Sequence, residues 1–235
     1  MLIKGFQKTT LLDYPGKVAA TIFTGGCNLR CPFCHNAGLV LHLNETETIS
    51  EETVLSYLQK RRGILDGVCI TGGEPLLQPD LIPFIEAIRS MGYLIKLDTN
   101  GSFPDRLAML IDQGLIDYVA MDIKNASEKY AMTCGLAETP SGMDESIDLL
   151  LQGKIDYEFR TTVVREFHTA KDIEDIAKRI QGAKKYFLQG FIDSGNLIGS
   201  HCSGYSPQEM LDLLPFAQKH VPTAALRGVD TPEGI

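Results

Sequence analysis

At 235 residues, 44% hydrophobic and 22% charged, the chain has ordinary globular composition and enough length to bury a substantial core in one or two domains. Its formal net charge of -8, from 22 basic and 30 acidic residues, argues against a general binder of nucleic acid or anionic membrane, leaving room only for a local basic patch. No apolar run is long enough to span a bilayer, and residues 1–8 carry no long apolar stretch of the signal-peptide kind, so neither a membrane partner nor export is expected.

Residues 1–17 read as an N-terminal extension that ends in a Pro15-Gly16 turn. Residues 18–23 form a short apolar run, expected as a buried strand. It leads into Thr24-Gly25-Gly26 and then three cysteines, Cys27, Cys31 and Cys34, spaced C-x3-C-x2-C. Ser50 caps a predicted helix with Val54, Leu55 and Leu58 on one face. A second strand, residues 67–70, runs into Gly72-Gly73-Glu74-Pro75, and Asp80 is expected to cap a helix carrying Leu81, Phe84, Ile85 and Ile88. The third strand, 94–97, precedes Asp98-Thr99-Asn100-Gly101; Ser102 and Pro104 open the next helix, and Gly114 ends it. The fourth, 118–121, precedes Asp122-Ile123-Lys124, and a helix follows around 144–151. The fifth, 157–164, contains Arg160; after it Thr169 caps a helix bearing Ile173, Ile176, Ala177 and Ile180. Residues 185–189 form a sixth strand, Ser206 and Pro207 open a helix with a capping-box Glu209, and residues 224–227 are a candidate last short strand.

This strand–loop–helix rhythm implies parallel strands joined by right-handed crossovers. About six good strands are visible, short of a full eight-stranded barrel. No linker or low-complexity segment interrupts them, so residues 18–235 are expected to form one α/β domain. The pattern alone does not choose between an open doubly wound sheet and a curved partial barrel.

In parallel α/β folds ligands bind at the C-terminal strand ends, and the polar motifs fall there one after another. Three thiolates in one short loop suit a metal centre. An iron–sulfur cube is usually held by four cysteines, so three would leave one iron open. The segment 31–35 also fits the C-x-x-C-H haem pattern, and a Cys3His zinc site using His35 is the stronger competitor. Gly72 and Gly73 free the backbone for close approach to a ligand, or simply make a turn. Asp98 and Asn100 precede a glycine, and a capped turn is the plain alternative. Asp122 and Lys124 share one side of a strand end, where a surface ion pair is equally open. Arg160 in an apolar strand needs a partner, either a neighbouring Asp or a ligand carboxylate. Cys69, Cys134 and Cys202 are isolated, and no further C-x2-C pair is present; Cys69 is expected in the core and the other two in loops.

C-x3-C-x-aromatic-C, with Phe33 as the aromatic, resembles the signature of the radical S-adenosylmethionine enzymes, and Gly72-Gly73-Glu74-Pro75 follows in the order that family shows. Residues 34–36, 98–101 and 121–124 and the Arg160 strand are similar to the activating enzymes of glycyl radical enzymes, the pyruvate formate-lyase activase group. Segments 12–17, 159–164, 188–189 and 226–228 are similar to one branch, the activating proteins of anaerobic ribonucleoside-triphosphate reductase. The resemblance implies a partial (β/α)6 barrel and a single [4Fe–4S] cluster on Cys27, Cys31 and Cys34, with S-adenosyl-L-methionine chelating the open iron. It implies that Gly72, Gly73 and Glu74 meet the methionyl amino group, and that Asp98, Asn100, Asp122, Lys124 and Arg160 order the carboxylate, sulfonium and ribose. The backbone around Phe33, Cys34 and His35 then faces the adenine. The activase group has a cosubstrate-contacting His near the sixth strand; residues 188–192 offer none in register, and Gln189 takes a comparable polar role or none. The implied reaction is reductive cleavage to a 5′-deoxyadenosyl radical, with flavodoxin or ferredoxin as electron donor. That radical takes a hydrogen from a backbone glycine of a protein partner in the cytoplasm, and no side chain acts as acid or base. The alternatives are a small-molecule or peptide substrate and, outside radical chemistry, a Cys3His zinc-binding interaction module. His201 is expected at the surface, and the loop 192–200 is expected to be mobile and to face a partner.

Overall fold

The computed structural model describes residues 1–193 and 195–230. Ser194, within the loop expected to face a partner, and residues 231–235, at the end of the expected domain, lie outside the described residues. Among the described residues eight strands form one sheet in sequence order: β1 (Ile3–Thr10), β2 (Ala19–Thr24), β3 (Gly67–Gly72), β4 (Leu94–Thr99), β5 (Tyr118–Asp122), β6 (Asp156–Val163), β7 (Tyr186–Gly190) and β8 (Ala225–Arg227). β1 pairs antiparallel to β2, and every later neighbour is parallel. The helices are α1 (Ala37–Val40), α2 (Glu51–Lys60), α3 (Leu81–Ser90), α4 (Pro104–Asp112), α5 (Tyr130–Thr133), α6 (Met143–Leu151), α7 (Ala170–Arg179) and α8 (Pro207–Gln218).

The strands read as apolar runs because both faces of the sheet are covered. Ala20, Ile22, Val68, Ile70, Ile95 and Leu97 have no exposed surface. The predicted helix faces pack as expected: Leu81, Phe84, Ile85 and Ile88 are all buried. Ser50, Thr169 and Ser206 accept hydrogen bonds from the third amide of their helices, the last two in reciprocal capping boxes with Asp172 and Glu209. Asp80 holds the N-cap position of α3 but makes no side-chain cap bond, and Phe103 rather than Ser102 is the N-cap of α4.

Pairing among the described residues runs from β1 to β8 without joining the two ends, so the α/β sheet is open rather than a closed barrel. The segment read as an extension supplies β1, which covers the free edge of β2. The described residues contain no helix long and apolar enough to cross a membrane. In register, Asp122 stands opposite Arg160 and Thr162 opposite Gln189, so the polar residues gather where the parallel strands end.

Candidate active site

The cysteine loop leaves β2 under tight backbone control. The Gly25 amide donates to the Leu2 carbonyl (2.9 Å), the Gly26 amide to Leu39 (2.8 Å), and Gln78 Nε2 to the Gly25 carbonyl (2.8 Å). The end of β3 nests against the same backbone: Gly73 N donates to Thr24 O (2.9 Å) and Glu74 N to Gly26 O (2.8 Å). That approach requires both glycines. A Cβ on Gly73 falls 1.9 Å from Gly26 O, and one on Gly72, whose φ is +122°, falls 2.3 Å from Thr24 N. The close approach made by this pair is therefore to the cysteine loop itself.

A single cavity of about 260 Å³ opens at this rim. Cys27, Cys31 and Cys34 line it with Phe33, His35, Gly72, Gly73, Asp98, Asn100, Asp122, Lys124, Arg160 and Gln189. Glu74 is the exception among the expected residues. It is fully buried, and its carboxylate accepts from Leu76 N (3.0 Å), Thr99 Oγ1 (2.9 Å) and Asn100 N (2.7 Å). It supports the turn that carries Asn100, whose own Nδ2 donates to Asn28 Oδ1 (2.8 Å) and lies 3.8 Å from Cys27 Sγ.

The charged residues form one chain across three strand ends. Lys96 Nζ bonds Asp98; Arg160 Nη1 bonds Asp98 (3.2 Å) and its Nε bonds Asp122 (2.8 Å); Lys124 Nζ bonds the other Asp122 oxygen (3.0 Å). Burial alone pushes the Asp98 and Asp122 carboxyls up, but the adjoining cations prevail and hold both below the ordinary carboxylate range. Burial lowers Lys124, yet Asp122 and Cys31 raise it above its ordinary value. Both acids therefore stay ionised, and three cations against two anions leave a surplus positive charge suited to a carboxylate ligand.

The sulfur environments differ. Burial pushes the Cys27 thiol up to about 11, against the Leu29 amide that donates to its sulfur (3.3 Å), and Cys34 is also raised by burial. Cys31 is lowered, chiefly through the neighbouring Cys134 side chain, with burial opposing. Phe33 is buried, its ring 5.7 Å from Phe167 and 6.4 Å from His168. The His35 ring stacks on Phe191 at 5.1 Å.

The donor set fits an iron–sulfur cluster. Three soft sulfur donors from one loop face one cavity, and a cube bonds each thiolate to a different iron. Among the described residues no three His, Cys, Asp or Glu side chains are gathered as a single ion requires, so the Cys3His arrangement is not formed.

Sequence reasoning missed two participants. Lys96 is 2% exposed beneath Asp98; its signal was a lysine inside an apolar strand, two residues before an aspartate on the same face. Cys134, expected in a loop, is the fully buried C-cap of α5 and lies against Cys31. Cys69 is in the core as expected, with Lys96 and Asp98 beside it.

Comparison with known proteins agrees with this geometry. The family model described as the radical SAM superfamily matches residues 21–217. A Methanocaldococcus jannaschii protein assigned by name to the glycyl-radical enzyme activating enzymes is 35% identical over 196 residues, covering 81% of this chain and 80% of that protein. The pyruvate formate-lyase-activating enzyme of Clostridium pasteurianum is 26% identical over 220 residues, 90% of this chain and 87% of that one. Streptococcus suis SuiB, solved bound to S-adenosylmethionine, superposes with a TM-score of 0.67 at 13% identity, over 86% of this chain and 48% of that one, which shows a shared fold. With the cysteine loop, the glycine pair and the rim charges all inside the matched region, the chain belongs to the radical SAM superfamily.

Proposed function

We propose that the chain activates a glycyl radical enzyme, with anaerobic ribonucleoside-triphosphate reductase as its partner. The observation that carries the reading is the one cavity in which three thiols face the Asp98–Arg160–Asp122–Lys124 chain. The two activating-enzyme relatives match over most of their own lengths, which supports the class of protein substrate.

When bound, one [4Fe–4S] cluster and S-adenosyl-L-methionine supply one-electron radical chemistry directed at a backbone glycine of the partner, with flavodoxin or ferredoxin as electron donor. Cys27, Cys31 and Cys34 hold the cluster. Arg160 and Lys124 present the surplus positive charge to the cosubstrate carboxylate, while Asp98 and Asp122 fix the positions of those cations. Gly72 and Gly73 offer backbone to the amino end, with Glu74 bracing the turn from below. Asn100 and Gln189 line the remaining polar wall, and Phe33 and His35 flank the adenine. Neither aspartate is suited to act as a base, because the adjoining cations occupy its oxygens and hold its carboxyl below the ordinary range, which makes it a poor proton acceptor. An oxygen-sensitive centre of this kind belongs in a reducing cytoplasm.

The test begins with anaerobic purification and an assay of iron and sulfide, expecting about four irons per chain. One zinc without sulfide overturns the cluster. Reduced protein with S-adenosyl-L-methionine is then mixed with the glycyl radical enzyme encoded nearest to it in the genome. A glycyl radical signal in the partner's spin resonance spectrum is expected. Formation of 5′-deoxyadenosine without that signal, but with turnover of a peptide or small molecule, moves the chain to the alternative substrate class.

A further inference from the structure

Behind the rim lies a histidine that the proposed chemistry does not use. His168 has no exposed surface, and its ring is fully committed to backbone groups. Nε2 lies 2.8 Å from the Lys124 carbonyl oxygen. A carbonyl only accepts, so Nε2 carries the proton and donates. Nδ1 of the neutral ring then accepts from the Val164 amide at 3.1 Å, with the Val164 carbonyl oxygen also 3.2 Å from it. Burial lowers the His168 pKa, consistent with that neutral tautomer. The amides of Phe167 and His168 close the turn onto Val164 O (3.1 and 2.9 Å), and Tyr205 Oη donates to His168 O (2.6 Å).

This turn ties three loops together. Lys124 is held at both of its peptide groups: its carbonyl by His168, its amide by donation to Tyr130 Oη (3.3 Å). One residue on, the fully buried Asn125 donates to Phe167 O (2.9 Å) and Thr133 Oγ1 (2.8 Å). On the other side, the Phe33 ring of the cysteine loop rests on Phe167 and His168. The loops after β2, β5 and β6 therefore meet at one imidazole.

We propose that His168 is a positioning residue that fixes Lys124 and the Phe33 wall relative to each other, and so sets how tightly the cavity grips S-adenosyl-L-methionine. The inference rests on the proposed cosubstrate site. His168 touches neither cosubstrate nor cluster; it acts through the Lys124 carbonyl and the Phe33 ring. A glutamine at 168 retains a side-chain donor toward Lys124 O. Asparagine is one methylene shorter and falls short of it. Phenylalanine keeps the ring against Phe33 but has no donor.

The test is a double-mutant cycle read by binding. The dissociation constant of S-adenosyl-L-methionine is taken from its perturbation of the reduced cluster's spin resonance spectrum, with a thermal melt of each variant. His168→Phe and His168→Asn are expected to weaken binding about tenfold, the scale of supporting hydrogen bonds around such centres, while His168→Gln stays near wild type. In a Lys124→Met background His168→Phe, which keeps the ring against Phe33, should alter binding less than about twofold, because the group that its lost donor positions is gone. Equal effects in both backgrounds, or unchanged binding in the Lys124-containing variants, overturn the inference. Should His168→Phe fail to fold, the Gln and Asn pair decides alone: similar constants for both overturn it. If wild type shows no perturbation, or Lys124→Met binds as wild type does, the cosubstrate reading itself fails, a distinct result.

Discussion

Glu74 has no exposed surface, and both of its carboxylate oxygens accept hydrogen bonds from protein donors. Burial pushes its carboxyl up to about 7, against those donors, from an ordinary value of 4.5. The native chain therefore holds this proton through a pH range in which the unfolded chain has lost it. Stability contributed by that proton is complete below pH 4.5 and is lost as pH rises through about 7, a span worth about 3 kcal/mol. Glu74→Gln removes the titration, and its amide nitrogen must face either Asn100 N–H or the Leu76 and Thr99 donors, costing about 1–3 kcal/mol. Urea unfolding of the cluster-free chain between pH 5 and pH 8 should show wild type losing stability across the window relative to the variant. Parallel pH profiles for the two proteins refute the assignment. The motif was legible in the sequence because Gly-Gly-Glu-Pro is local; the role of its glutamate was not, since Thr99 and Asn100 lie on the next strand's loop.

At the scale of elements, β1 was the piece that pattern reading passed over. Ile3–Thr10 alternates only weakly, with Lys4, Gln7, Lys8 and Thr9 at least partly exposed, because it is an edge strand with little of its surface to bury. The strands β2 to β7 were legible for the opposite reason: covered on both faces, they read as apolar runs. β1 nevertheless has a functional consequence through Gln78, which is buried between it and the cysteine loop. Gln78 Oε1 accepts from Leu2 N (2.9 Å) and its Nε2 donates to Gly25 O (2.8 Å), two residues before Cys27. Gln78→Ala leaves both backbone groups without this partner, at about 1–3 kcal/mol each. Gln78→Glu keeps the acceptor for Leu2 but sets an oxygen against the Gly25 carbonyl. Both variants should take up less iron and sulfide on anaerobic reconstitution, the alanine variant also unfolding at lower urea. Full iron content in both means that the clamp does not set the cysteine loop.

Across the whole molecule, the gathering of polar motifs at one rim follows from parallel topology and was readable from chain order; the sequential strand order was not, because a doubly wound sheet fits the same strand–helix rhythm. Nor was the third dimension of the barrel interior readable. In Leu94–Thr99 a lysine alternating with apolar residues looks like the solvent face of an amphipathic strand; curvature of the sheet buries it instead. Cys134 is likewise invisible as a neighbour of Cys31, since nothing in local spacing reports so distant a contact. Lys96 begins a chain of buried charges, and the members of such a chain act together. Removing Lys96 alone leaves Asp98 with Arg160 as its remaining ionic partner, so the cost falls below the about 3–5 kcal/mol of a buried charge left with none. It also draws Arg160 toward Asp98 and away from Asp122, which loosens Lys124 at the cavity. Lys96→Met should therefore unfold at lower urea and raise the KM for S-adenosyl-L-methionine about tenfold, about 1.4 kcal/mol, with a smaller change in kcat for 5′-deoxyadenosine formation. Removing the facing charge as well, in Lys96→Met with Asp98→Asn, should restore part of the lost stability, because the buried carboxylate that lost one of its two cationic partners is gone. The stability costs of the two single changes should then sum to more than that of the pair. Simple additivity would show that the charges hold their places independently, and the effect of Lys96 would have to be sought in packing beside Cys69 rather than in the chain that leads to Lys124.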